Sequence, residues 1–79
     1  MPDKQDDNAH HLDTTGLNCP LPVLKTRRML ETLPDGAVLR VSATDPMAAV
    51  DLPHFCQTAG YVLHHQWEND GVFYFDIRK

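Results

Sequence analysis

Turn signals divide this chain into segments that are each long enough for only one helix or strand. In chain order they are Gly16, Pro34-Asp35-Gly36, Thr44-Asp45-Pro46, Gly60 and Asn69-Asp70-Gly71. Glycine and proline interrupt regular structure because glycine frees the backbone and proline removes a hydrogen-bond donor. An Asn-Asp-Gly sequence between two strand-like segments is typical of a tight β-hairpin. The chain must therefore fold as short elements around one core.

The hydrophobic spacing assigns a type to most of these segments. Residues 12–14 are typical of a short strand, and residues 23–33 place apolar side chains at the i, i+3, i+4 spacing of a helix. Residues 37–43 alternate between apolar and polar side chains, as a half-buried strand does. Segments 61–68 and 72–78 are the predicted arms of the hairpin.

Pro53 argues against one continuous helix after Asp45. A proline inside a helix removes one hydrogen bond, and its ring clashes with the preceding turn. We therefore predict a short turn followed by a helix over residues 52–59, with Asp51 as its N-cap and Gly60 as its C-terminal stop. Asp45 is likewise interpreted as a helix cap.

The resulting order, β-α-β-α-β-β, predicts an α+β fold. The simplest packing is a two-layer α/β sandwich, in which a four-stranded mixed sheet carries both helices on one face. Residues 11–79 form this domain, and the polar residues 1–10 are predicted to be a disordered tail. A chain of 79 residues buries one thin core, so it is better suited to present a reactive group than to enclose a substrate.

Composition argues against several classes of function. A net charge of −4 is unfavourable for holding phosphate backbones, so direct nucleic-acid binding is not expected. Two cysteines are too few for a disulfide framework, and no apolar run approaches a membrane span of about 20 residues. The polar N-terminus contains no hydrophobic signal core. We expect a cytoplasmic monomer with free thiols and no membrane contact.

Cys19 has the clearest chemical setting. It precedes a predicted helix, where unpaired N–H groups and the helix dipole favour an anion such as the nucleophilic thiolate. Pro20 and Pro22 suit the first turn of a helix and fix its backbone. These residues alone leave two interpretations open, because a free cysteine is also often a small buried hydrophobe.

Three basic residues, Lys25, Arg27 and Arg28, lie one to two helical turns after the Cys19 motif. They are predicted to add positive field at the thiol and to help dock charged partners there. A solvated helix face is the alternative that this pattern leaves open.

Cys56 and the five histidines are weaker candidates. Cys56 has apolar neighbours and is predicted to pack in the core, with a resolving role beside Cys19 as the alternative. The pairs His10-His11 and His64-His65 diverge on strands, and no zinc-binding spacing is present. Neither a metal nor another cofactor is therefore expected.

The segment from Gly16 to Val23, GLNCPLPV, resembles the G-L-x-C-P-x-P signature of the TusA (SirA-like) family of sulfurtransferases. The likeness spans residues 11–79 in the family's order and spacing. It continues through Asp45-Pro46, Asp51-Leu52-Pro53, Phe55-Cys56 and the closing Ile77-Arg78-Lys79. One departure is Leu21, which stands where the best-known members have glutamate.

This resemblance implies a β-α-β-α-β-β sandwich that works as a sulfur carrier. Cys19 would accept sulfane sulfur as a persulfide from a cysteine desulfurase or another donor protein, and would pass it to a downstream acceptor protein. Pro20 and Pro22 would shape the site, and Arg27 would help to dock an acidic partner. The family's routes lead to 2-thiouridine in tRNA, to sulfur oxidation or to cofactor assembly.

Two other functions stay open at this point. A non-catalytic module could bind a protein or an RNA through the basic helix that follows Cys19. Thiol-redox catalysis would need Cys56 as the resolving residue, since a C-x-x-C motif is absent.

Overall fold

A computed structural model describes residues 9–79 of the chain. Its elements are β1 (Ala9–Thr14), α1 (Leu21–Thr32), β2 (Val38–Ala43), α2 (Ala48–Ala59), β3 (Val62–Asn69) and β4 (Val72–Arg78). This order confirms the predicted α+β class. Of the tail predicted over residues 1–10, residues 1–8 lie outside the described part of the chain, whereas Ala9 and His10 begin β1.

The four strands form one mixed sheet in the order β1-β2-β4-β3. β1 and β2 are parallel and are joined through α1, whereas β4 is antiparallel to β2 and to β3. The β2–β4 register places Val41 opposite Phe75 and Leu39 opposite Ile77, and all four side chains are fully buried. The alternation predicted for β2 is therefore confirmed.

One hydrophobic core lies between the sheet and the two helices. Its buried members are Leu30, Leu39, Val41, Ala43, Ala48, Leu52, Phe55, Cys56, Phe75 and Ile77. α1 packs on β1 and β2, and α2 packs on β3 and β4. Both helices also contact each other, which brings the start of α2 close to the loop before α1. Neither of these two helices is long and apolar enough to cross a membrane.

The second helix is continuous, so the break predicted before Pro53 is wrong. α2 runs from Ala48 to Ala59 with Pro53 inside it. Proline lacks the N–H that would donate to the carbonyl of Ala49, four residues earlier. That carbonyl instead accepts a hydrogen bond from Nε2 of Gln66 on β3, at 3.4 Å. A neighbouring strand therefore supplies the donor that the proline removes.

The turns at the end of α2 and within the hairpin are confirmed. Gly60 has a φ of 85° and donates its N–H to the carbonyl of Cys56 at 3.0 Å, as a left-handed C-terminal cap does. Asp70 and Gly71 join β3 to β4 with φ values of 55° and 82°. Two consecutive positive φ values are what the tight hairpin turn requires.

Candidate functional site

Cys19 lies in the loop between β1 and α1, directly before Pro20, the N-cap residue of α1. The loop is folded by a hydrogen bond from Leu21 N–H to the Asn18 carbonyl, at 2.9 Å. The Cys19–Pro20 peptide bond is cis. The thiol is free and exposed, so the alternative of a small buried hydrophobe is wrong for this cysteine.

The carboxylate of Asp45 holds this loop against the start of α2. Its Oδ2 accepts a hydrogen bond from the backbone N–H of Cys19 at 2.6 Å, and its Oδ1 accepts one from Met47 N–H at 3.1 Å. The N-cap residue of α2 is Met47, so the interpretation of Asp45 as a helix cap is wrong. One side chain instead fixes the backbone at Cys19 relative to α2.

Asp51 contacts the sulfur itself. The Cys19 thiol donates a hydrogen bond to Oδ2 of Asp51, with 3.0 Å between Sγ and the oxygen. Asp51 belongs to the first turn of α2, inside the helix, so its predicted role as N-cap is also wrong. The first turn of one helix thus reaches the residue that precedes the other helix.

The two carboxylates reverse the predicted electrostatics of the thiol. The hydrogen bond to Asp51 raises the pKa of Cys19, and some loss of hydration and the negative charges of Asp51 and Asp45 raise it further. A nearby anion disfavours the thiolate because like charges repel. The prediction that the helix start and the basic residues favour a thiolate is therefore wrong for the free protein.

A groove of about 340 Å³ opens beside the thiol between the two helices. Pro20 and Val23 form the α1 side of this thiol groove. On the α2 side, Asp51 is followed by His54, Phe55 and Thr58. Of the two prolines predicted to shape the site, Pro20 lines the groove, whereas Pro22 lies in the first turn of α1 and is buried.

The basic residues lie elsewhere on α1. Lys25, Arg27 and Arg28 are exposed and line a second groove of about 380 Å³, called the basic groove below, together with Leu21, Leu24 and the carboxylate of Glu31. Cys19 does not line this basic groove, and none of the three cations is among the groups that shift its pKa. The structure therefore does not bring the predicted docking residues to the thiol.

Cys56 is 2% exposed and belongs to the hydrophobic core, so its predicted role in packing is confirmed. Burial raises the pKa of its thiol to about 11. Both cysteines are free. Among residues 9–79, no group of three or more His, Cys, Asp or Glu side chains is placed to hold a metal ion.

Asp45 and Asp51 are the site residues that the sequence analysis missed as contacts of Cys19. Both sit near the start of the second helical segment, where aspartate is a common cap. Capping alone accounts for an aspartate at each of these positions. Sequence spacing does not indicate that both carboxylates bond Cys19, which lies 26 residues before Asp45 and 32 before Asp51.

Comparisons with known proteins agree with the fold and the motif. A family model described as Sulfurtransferase TusA matches residues 10–79. Sulfur carrier protein TusA of Pseudomonas putida is 46% identical over 68 residues, which cover 86% of this chain and 85% of that protein. The protein of the same name from Pseudomonas paraeruginosa is 44% identical over 68 residues, which cover 86% of each chain. A SirA-like protein from Desulfitobacterium hafniense, known from its crystal structure, is 26% identical with a TM-score of 0.76; the match covers 86% of this chain and 93% of that chain. This chain therefore belongs to the TusA family of sulfurtransferases.

Proposed function

We propose that this protein is a cytoplasmic sulfur carrier that holds sulfane sulfur as a persulfide on Cys19. The observation that carries the proposal is the exposed, free thiol of Cys19 beside an open groove, in a chain whose relatives are named as sulfur carriers. Its backbone N–H is held by Asp45, so the sulfur is presented in a defined place. Cys56, the other thiol, is buried away from any partner.

The chemistry of such a carrier is an exchange between sulfur atoms. Sγ of Cys19 attacks the outer sulfur of a persulfide on a cysteine desulfurase or another donor protein. One S–S bond forms on Cys19 and one breaks on the donor, so no external oxidant or reductant is consumed. The same exchange with a thiol of an acceptor protein discharges the carrier. The groove beside Sγ has room for the added sulfur atom.

Mass spectrometry tests this function directly. The protein is incubated with a cysteine desulfurase and cysteine, and its intact mass is measured without reductant. Wild type and Cys56→Ser are each expected to gain about 32 Da, the mass of one sulfur atom, and to lose it on reduction. Cys19→Ser is expected to gain nothing. Equal labelling of Cys19→Ser and wild type would overturn the proposal.

We further propose that the basic groove docks the donor or acceptor protein through an acidic surface. Lys25, Arg27 and Arg28 present three positive charges beside the exposed apolar side chains of Leu21 and Leu24. A mixture of cationic and apolar groups suits a protein surface, where charge steers the encounter and apolar area holds the complex.

Charge reversal separates docking from chemistry. The double variant Arg27→Glu/Arg28→Glu is expected to slow sulfur transfer from the desulfurase by about tenfold at low salt. Its alkylation by iodoacetamide should stay at the wild-type rate, since Cys19 does not line the basic groove. The rival function, a non-catalytic interaction module, requires the reverse: cellular function that survives Cys19→Ser and is lost in the double variant.

A further inference from the structure

We propose that Asp51 is a catalytic proton carrier for Cys19, taking the thiol proton as the sulfur attacks and returning it to the sulfur that departs. This inference rests on the proposed persulfide function of Cys19. It gives a specific task to a carboxylate that sequence reasoning assigned to helix capping.

The contact between Asp51 and Cys19 has the geometry of a proton transfer. Oδ2 of Asp51 lies 3.0 Å from Sγ, within the distance at which the thiol donates a hydrogen bond to that oxygen. Asp51 is the only hydrogen-bond partner of Sγ in the described part of the chain. Because α2 is continuous through Asp51, the carboxylate is held on a rigid element and not on a loop.

The other titratable groups around the sulfur are placed differently. Oδ2 of Asp45 accepts its hydrogen bond from the backbone N–H of Cys19, not from the sulfur. His54 lines the same groove one turn further along α2, but it makes no hydrogen bond to Sγ. Among the described residues, His54 is therefore the main alternative to Asp51 as the group that handles the proton.

The proton has to be moved because the carboxylates keep Cys19 in its thiol form. Asp51 raises the pKa of the thiol through the hydrogen bond and through its negative charge. At neutral pH the nucleophile is thus a thiol, and its attack requires that the proton leave. A carboxylate already bonded to that proton can accept it during the attack.

Each atom and charge in the transfer is accounted for. Cys19–SH reacts with the donor persulfide R–S–S⁻ to give Cys19–S–S⁻ and R–SH. Asp51 accepts the proton from Sγ as the new S–S bond forms, and it donates that proton to the inner donor sulfur as the old S–S bond breaks. Asp51 ends as a carboxylate, and no electrons enter or leave the pair of proteins.

The variant Asp51→Asn distinguishes proton transfer by Asp51 from an effect of its charge on the pKa of Cys19 alone. Removal of the carboxylate lowers the pKa of Cys19, so alkylation by iodoacetamide at pH 7 is expected to rise. Sulfur transfer from a persulfide-loaded desulfurase, measured in a single turnover at saturating donor, is expected to fall by roughly 100-fold, the lower end of what proton transfer contributes. A carboxylate that only suppresses the thiolate predicts faster alkylation and faster transfer together.

Two control variants complete the experiment. Asp51→Glu keeps a carboxylate and is expected to restore much of the transfer rate, whereas His54→Gln, which alters the lining of the thiol groove, is expected to lose much less of that rate than Asp51→Asn. The assignment is overturned by a wild-type transfer rate in Asp51→Asn, by an equal loss in His54→Gln, or by slower alkylation in Asp51→Asn, which would mean that Cys19 had moved. Absence of loading in the wild type is a distinct result, and it would overturn the carrier function as well.

Discussion

The two cysteines of this chain share one electrostatic property for opposite reasons. Both thiols have a raised pKa. At Cys19, which is exposed, the main cause is a hydrogen bond to the carboxylate of Asp51. At Cys56, which is 2% exposed, the cause is burial in the core. The pKa is therefore raised by a neighbouring charge at Cys19 and by desolvation at Cys56.

This difference decides what each thiol can do. The effect of Asp51 is local, and one proton transfer or one substitution removes it. The effect of burial at Cys56 ends only when the core opens, because the apolar layer between helices and sheet must separate first. A raised pKa is thus compatible with a reactive cysteine when its cause is a single movable charge. It indicates an inert cysteine when its cause is packing.

The largest expected difference between the two regions is in stability. Cys56→Ser places a hydroxyl among core side chains and is expected to lower the free energy of unfolding by about 1–3 kcal/mol, the cost of an unsatisfied buried polar group. Cys19→Ser is expected to leave the free energy of unfolding unchanged, since that side chain is exposed. Urea denaturation followed by circular dichroism measures both. Equal losses of unfolding free energy in the two variants would show that Cys56 is no more important to packing than Cys19.

The contrast between local and long-range partners also explains how much the sequence predicts. The hairpin at Asp70-Gly71 and the alternation in β2 depend on residues close in sequence, and both were predicted. The continuity of α2 depends on Gln66, which donates a hydrogen bond to the carbonyl of Ala49, 17 positions earlier. The thiol's environment depends on Asp51, 32 positions away. Periodicity and turn signals carry no information about such partners.

Cys19 itself illustrates the same limit. Its place before α1 could be predicted from the adjacent prolines, because they mark a helix start, whereas these residues alone left its exposure open. The sign of its pKa shift could not be predicted. That sign depends on which charges the fold brings within contact, and α2 and the turn before it supply carboxylates where the neighbouring sequence suggested cations.

Alkaline pH is expected to have a smaller effect on stability, which also distinguishes the buried thiol of Cys56 from the exposed thiol of Cys19. The pKa of Cys56 is about 11 in the folded protein and near its ordinary value of 9.0 when unfolded. As the pH rises above 9.0, the unfolded chain loses this proton first, so unfolding becomes more favourable. Linkage gives a loss of about 1 kcal/mol at pH 10 relative to pH 8.

A pair of variants isolates that contribution. In a Cys19→Ser background, which removes the other thiol, the stability of the single variant is compared with that of Cys19→Ser/Cys56→Ala from pH 8 to pH 10. The double variant is less stable at every pH by a constant amount, because its core side chain is smaller. The difference in unfolding free energy between the two proteins is expected to narrow as the pH rises. A gap that stays constant would show that burial does not shift the pKa of Cys56.

The smallest expected changes in unfolding free energy come from substitutions of two buried threonines. These variants probe the packing of the core without altering a cysteine. Thr14 and Thr26 are both fully buried. Oγ1 of Thr14 donates a hydrogen bond to the Ser42 carbonyl at 2.6 Å, whereas Oγ1 of Thr26 on α1 has no partner among the described residues.

Valine has the shape of threonine without its hydroxyl, so the two substitutions are expected to act in opposite directions. Thr26→Val removes an unsatisfied buried group and should raise the free energy of unfolding by about 1 kcal/mol, while Thr14→Val should lower it by about 1 kcal/mol. Helix propensity does not obscure the first change, because threonine and valine are similar in that respect. Thermal and urea denaturation of both variants measure the sign. A loss in Thr26→Val would mean that its hydroxyl is solvated in solution, and that the layer which isolates Cys56 is open to water at α1.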